Sequence, residues 1–325
     1  MRAALSRRTG RTDGDVEIQP LSGDASTRRY FRVVDGSRTL VAALYPEPFD
    51  PANMPFLEVR DILEGYGLAV PAVEGVDGEH GVVLQQDLGD RTLQEVLREA
   101  TDARRAELYA EAVDDIATLQ GRAAEGKQRA SCFRIAFDIE KLSWELHYFQ
   151  KHFVEGHRER ELTVEDRSTL SEAFHQLSQE IASWPRVLCH RDYHSRNLML
   201  HRDRLHWIDF QDARLGPATY DLVSLLRDAY VDVPEELAQS LAERFRRRAA
   251  PGESREVFRR RFGLTAVQRT LKALGTFGYM ATVRENPVYL PYIPRTLDHA
   301  RASLSRHPEL ERLWRTLARH VEELA

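Results

Sequence analysis

The chain has 325 residues, with 46 Lys and Arg against 51 Asp and Glu, a formal net charge of −5, and 42% hydrophobic and 30% charged residues. That length can bury a large core and divide into two lobes. The slight acidic excess excludes general nucleic-acid binding, which shows as a basic surplus, but leaves room for an anionic ligand held by a few arginines.

The first 15 residues are basic but lack the apolar run of a secretory signal. No stretch reaches the ~18 apolar residues of a membrane span. A cytoplasmic protein is expected, with neither membrane nor nucleic acid among its partners. Residues 15–45 alternate as β-structure: "VEIQPL", a polar loop "SGDASTR", then "RYFRVV" and "TLVAALY" around an Asp35-Gly36 turn. A helix is expected over 55–66 with Phe56, Leu57, Ile62 and Leu63 inward, followed by two strands around Asp77-Gly78. From Arg91 the texture turns helical, over 91–100, 103–122, 137–156 and 165–184. Ile139, Leu142, Leu146, Phe149 and Phe153 recur at helical spacing and define one buried face. Short strands return at 186–190, 197–201 and 205–209, and after Pro217 the chain is helical almost to its end. This predicts an α+β chain, with a small β-rich lobe over 1–87 and a large helical lobe over 88–325. Of the two cysteines, Cys189 in "RVLCH" reads as a buried thiol, and the composition is not that of a disulfide scaffold.

The segment "CHRDYHSRNLMLHRDRLHWIDFQD", Cys189 to Asp212, packs acids, His and Arg between short apolar runs. Its polar residues fall at strand ends and in loops. Antiparallel pairing through "RDR" would bring Asn197 and Asp209 near each other, and one carboxylate plus one amide oxygen suit Mg²⁺. Asp192, on the loop before Asn197, could orient a hydroxyl and accept its proton. This combination serves phosphoryl transfer, where positioning and charge neutralisation carry most of the chemistry. His190 reads as an anchor of the loop, and Asp221, near a helix start, as a cap that ties the loop down.

These residues resemble the kinase catalytic loop H-R-D-x-x-x-x-N followed by a metal-binding Asp. His190, Arg191, Asp192 and Asn197 match the loop, and Asp209 stands at the metal position. "IDFQDARLGPATYDLVSLLRD" departs from protein kinases and resembles the aminoglycoside phosphotransferase superfamily. "SGDASTRRYFRV", "HRDYHSRNLM", "GPATYDLVSLLRDAYV" and "RTLKALGTFGYMATVRENPVYLPYIPRTL" are together similar to the anomeric kinases of N-acetylmuramate and N-acetylglucosamine that serve bacterial cell-wall recycling. The similarity covers most of residues 16–300. It implies a bilobal protein-kinase-like fold, ATP and Mg²⁺ as cofactors, a sugar substrate converted to its 1-phosphate, and a downstream sugar-1-phosphate nucleotidyltransferase as pathway partner. It also implies nucleotide contacts from Ser22, Asp24, Ser26 and Thr27 in the first loop and from Gln86 and Leu88 at the lobe connection.

A kinase-type small lobe carries a Gly-rich loop and a strand Lys. Here the loop has one Gly, and "TLVAALY" has no Lys. Arg28, Arg29 or Arg32 is expected to supply the cation, Arg28 being nearest the loop. Arg196 and His194, inside the catalytic loop, are candidates for substrate contact, with a loop salt bridge as the competing role of Arg196. Trp144, His147 and Tyr148 would either stack on a sugar or belong to the core. His201 and His206 read as solvated, the basic run 244–250 as a solvated helix face, and a Zn²⁺ site among the histidines as the weaker metal hypothesis. Three other functions stay open on these residues. They are the same fold acting on an aminoglycoside, another sugar or an amino alcohol, a nucleotide-binding pseudokinase, and a metal-dependent hydrolase.

Overall fold

The computed structural model describes residues 16–21, 28–126 and 130–325. The chain divides into two compact units, Met1–Leu93 with Leu198–Gln211, and Gln94–Asn197 with Asp212–Ala325.

In the first unit five strands form one antiparallel sheet: β1 (Glu17–Leu21), β2 (Arg29–Asp35), β3 (Arg38–Leu44), β4 (Val73–Asp77) and β5 (Val82–Gln86), ordered β1-β2-β3-β5-β4. Asp35 pairs with Arg38, and Gly36 takes the positive φ of +60° that the tight turn demands. The registers gather Val33, Ala42, Val82 and Leu84 into a small core. Helix α1 (Pro55–Gly65) opens on a proline, whose missing N–H is no loss in a first turn. It buries Phe56, Val59 and Leu63, a stripe at i, i+3 and i+7, while Leu57 and Ile62 are only half-buried. The expected inward face was therefore rotated by part of a turn.

A hairpin completes this unit, Leu198–His201 paired antiparallel with Arg204–Trp207. Its turn residues Arg202 and Asp203 both have positive φ, +50° and +63°, the geometry that matches strand twist across a two-residue loop. The hairpin is stitched in by Leu200 N–H to Arg91 O (2.9 Å) and Trp207 N–H to Ala69 O (2.8 Å), and by stacking of Phe210 on Phe56 at 5.1 Å.

The second unit is mostly helical: α2 (Leu93–Glu99), which begins at the boundary, α3 (Asp102–Glu125), α4 (Ile139–Phe149), α5 (Val164–Ser183), α6 (Tyr220–Leu226), α7 (Glu235–Ala249), α8 (Arg255–Thr282), α9 (Ile293–Leu304) and α10 (Glu311–Ala318). Thr101, Asp138 and Thr163 cap α3, α4 and α5 by accepting from backbone N–H groups. Leu142, Leu146, Phe149 and Phe153 are fully buried, whereas Ile139, in the first turn, is exposed. Beyond Phe149 the helix loosens into a π-helical stretch, Gln150–His157. The strand Arg186–Cys189 pairs with Arg214–Pro217, a strand absent from the sequence reading. Cys132 and Cys189 are both buried thiols. In the basic run, Arg244 and Arg248 pair with Asp114, and Arg246 and Arg247 with Glu243, while Phe245 between them is core. Among the described residues, no helix is long and apolar enough to cross a membrane.

Candidate active site

The loop from His190 to Asn197 is held by its backbone. Two buried carboxylates receive it: Asp221 accepts from the N–H groups of His190 (2.6 Å) and Arg191 (3.0 Å), and Asp228 accepts from Ser195 N–H (2.8 Å). Burial raises both carboxyls above their ordinary value, against the pull of these hydrogen bonds. The tether strains the chain locally, since Arg191 has φ +88°, a region that L-residues seldom enter. His190 is buried edge-on against Tyr193, and the Tyr193 hydroxyl donates to Ala112 O at 3.0 Å.

Asp192 and Asn197 lie together in this unit. The Asn197 side-chain Nδ2 donates to the Asp192 carbonyl at 2.9 Å, which fixes the carboxamide and leaves Oδ1 as the atom able to bind a metal. The Asp192 carboxylate meets cations from two directions. Lys272 Nζ stands 3.1 Å and Arg269 Nη2 3.4 Å from Oδ1, and Arg191 Nε stands 3.6 Å from Oδ2. Burial pushes the Asp192 carboxyl up, but Lys272, Arg191 and Arg269 outweigh it and hold the group well below the usual carboxylate range. Burial lowers the Lys272 ammonium, opposed by Asp192.

His194 and Arg196, the two candidate substrate contacts, converge on one ring. His194 lies edge-on to Tyr230 at 5.0 Å, and the Arg196 guanidinium sits 4.9 Å from that ring and 5.8 Å from Tyr289. Burial lowers the His194 imidazole to about 3, so it is neutral at physiological pH and suited to packing and hydrogen bonding.

In the first unit Asp209 also has a left-handed backbone, φ +61°. It accepts from Arg28 Nη2 (3.1 Å) and Gln211 Nε2 (2.8 Å). Of the three cation candidates, Arg32 is committed to Asp87 and Asp90, Arg28 to Asp209, and Arg29 is exposed with its guanidinium 5.1 Å from the Phe31 ring. Ser22, Asp24, Ser26 and Thr27 lie outside the described residues. Leu88 is buried and its carbonyl accepts from His201 Nδ1 at 3.2 Å, while Gln86 Nε2 reaches His201 Nε2 at 3.4 Å. His201 is thus a half-buried bridge, contrary to the solvated role expected of it. Among the described residues, none of His190, His194, His201 and His206 joins a group of three potential metal ligands. Trp144 is 54% exposed with Lys141 4.1 Å above its ring, so it is no core residue, whereas His147 meets buried Phe174 edge-on.

Asp228, Arg269 and Lys272 were missed in the sequence. Asp228 closes the segment "GPATYDLVSLLRD" but lies two residues past the end of α6, so helical spacing does not tie it to Asp221.

The phosphotransferase enzyme family model matches residues 17–257. The N-acetylmuramate/N-acetylglucosamine kinase of Pseudomonas aeruginosa is 34% identical over 308 residues, covering 93% of this chain and 88% of that protein. The protein of the same name from Neisseria meningitidis serogroup B is 34% identical over 318 residues, 95% of this chain and 93% of its own length. Among solved structures, ADP-bound aminoglycoside phosphotransferase APH(2'')-Ib superposes with a TM-score of 0.60 at 18% identity, covering 91% of this chain and 95% of that one. A choline/ethanolamine kinase family protein from Mesorhizobium loti gives 0.59 at 18% identity, covering 99% and 97%. At such identities these structures speak for the fold.

Proposed function

Since this chain belongs to the phosphotransferase enzyme family, we propose that it transfers the γ-phosphoryl group of ATP to the anomeric hydroxyl of an N-acetylated amino sugar, N-acetylmuramate or N-acetylglucosamine. The bond between the sugar oxygen and γ-phosphorus forms, the bond from that phosphorus to the β-phosphate oxygen breaks, and the products are sugar 1-phosphate and ADP. The hydroxyl proton passes to Asp192. The observation that carries this reading is the fixed Asp192–Asn197 loop, with the base carboxylate oriented by Lys272, Arg269 and Arg191.

Asp192 acts here chiefly by orientation. A hemiacetal hydroxyl is more acidic than an ordinary alcohol, so a carboxylate of depressed basicity suffices as its late proton acceptor, worth ~10²–10⁴ in rate. Asn197 Oδ1 and the Asp209 carboxylate would hold Mg²⁺, and both are the hard oxygen donors this ion takes. When bound, Mg²⁺ supplies neutralisation of the phosphate charge. Asp221 and Asp228 keep the loop rigid, and alignment of the two substrates contributes the rest.

The relatives' names favour the amino sugar over an aminoglycoside or amino alcohol. The reading places the enzyme in the cytoplasm, in peptidoglycan recycling, where a nucleotidyltransferase would consume the sugar 1-phosphate. The test is ADP release from MgATP across N-acetylmuramate, N-acetylglucosamine, glucosamine, an aminoglycoside and choline. The first two should support turnover. Turnover restricted to any of the others would overturn the proposed acceptor.

A further inference from the structure

Lys272 and Arg269 stand three residues apart on α8 and so share one face. Both reach the same oxygen, Oδ1 of Asp192, at 3.1 and 3.4 Å, while Arg191 flanks Oδ2. Arg269 is pinned by donation from Nε to Ser224 Oγ at 3.0 Å. Behind them Glu145 is engaged by Gln268 (2.9 Å) and Lys141 (3.5 Å), and Asp212 by Arg191 (3.0 Å). Three cations on one carboxylate exceed what an ion pair needs, and they weaken a base. A partly enclosed positive excess of this kind is relieved when an anion arrives.

The position of the cations identifies that anion. The acceptor hydroxyl must bond to the Asp192 carboxylate, and the phosphoryl group must come within one oxygen of it. Two negative groups so close repel strongly in a partly buried setting. β3 carries no lysine, Arg32 is taken by Asp87 and Asp90, and Arg28 is paired with Asp209. We infer that Lys272 and Arg269 bind the phosphoryl group in flight and turn from Asp192 toward its oxygens as it transfers, supplying the cation that β3 lacks. This rests on Asp192 being the proton acceptor.

The test compares wild type with Lys272→Met, Lys272→Arg and Arg269→Gln. Steady-state kinetics use the anionic acceptor N-acetylmuramate and the neutral N-acetylglucosamine, and calorimetry measures Kd for ADP and for the non-hydrolysable triphosphate adenylyl imidodiphosphate. Lys272→Met should lower kcat by roughly 10²–10³ for both sugars, with KM for each unchanged. It should also erase any preference for triphosphate over diphosphate, and Lys272→Arg should recover part of both losses. A rise in KM confined to N-acetylmuramate would make the pair an anchor for the acceptor's carboxylate and overturn the inference. An unchanged kcat with a lower melting temperature would reduce it to a structural ion pair and overturn it equally. If wild type used neither sugar, the proposed acceptor would fall, while the ADP-against-triphosphate comparison would still decide the role of Lys272.

Discussion

Asp192 is subject to opposing pulls on one proton. Burial favours its neutral form, and Lys272, Arg191 and Arg269 favour the carboxylate and win. A group held this low stays ionised well below the ordinary Asp value of about 3.9. His194, at about 3, stays neutral over the same span. Neither group titrates between pH 5 and 9, so neither should give kcat an acid limb there while the fold holds. An inflection near pH 6 that vanished in His194→Gln would contradict this. Asp192→Asn should retain nucleotide binding by calorimetry and lose turnover by about 10²–10⁴, and wild-type activity in that variant would refute the base. The acids and the amide of the loop are legible because they lie within 21 residues of sequence, at a spacing that few other chemistries use. Lys272 and Arg269 are not. They lie 80 and 77 residues downstream in a long helix, where a Lys or Arg ordinarily points to water, and only the packing of α8 turns them inward.

At the scale of the element, α8 is the clearest case of packing overruling propensity. Glycine in a helix interior costs about 1 kcal/mol against alanine, so a Gly→Ala change usually stabilises. Gly121 in α3, with nothing within 4 Å of an added Cβ, should follow that rule. Gly278 should reverse it. A Cβ there would lie 2.3 Å from the His152 carbonyl oxygen and 2.9 Å from Phe153 Cα, and one at Gly275 2.7 Å from Phe149 Cα. These are backbone atoms of α4 and of the π-helical stretch after it, which cannot swing aside as a side chain would. Gly278→Ala should therefore destabilise by roughly 1–3 kcal/mol in urea titration, with Gly121→Ala as the stabilising control. Equal effects of one sign would show that the helices separate at no cost. The same physics marks the limit of the sequence reading. Periodicity located the helices within a few residues, because a buried stripe imprints itself on the pattern. It missed the strand Arg214–Pro217, which is four residues long and carries no alternation, and it rotated the inward face of α1.

Across the whole molecule, histidines decide how the protein meets acid. Burial lowers His299 to about 4 and His194 to about 3, and it lowers His152, His157, His206 and His307 in the same sense. A histidine depressed in the fold binds its proton more readily once unfolded. Below the unfolded value of about 6.5 the unfolded chain therefore gains protons that the folded chain refuses, and stability drains away as pH falls. Asp221 and Asp228 act in the opposite sense because burial raises them, but they are two against six. His299 on α9 shows the magnitude. Burial lowers it first, and Arg227 and Arg295 add to the effect against the weaker pull of Asp232 and Asp298. Taking 6.5 unfolded and about 4 folded, His299 alone removes about 2 kcal/mol between pH 8 and pH 5. The apparent Tm should thus fall steadily over that interval, well before the depressed carboxylates begin to protonate. His299→Gln, which cannot take up the proton, should flatten the slope by that share whatever it does to stability at pH 8. A Tm that held level down to pH 5, or a variant with the wild-type slope, would mean that these imidazoles accept protons inside the fold.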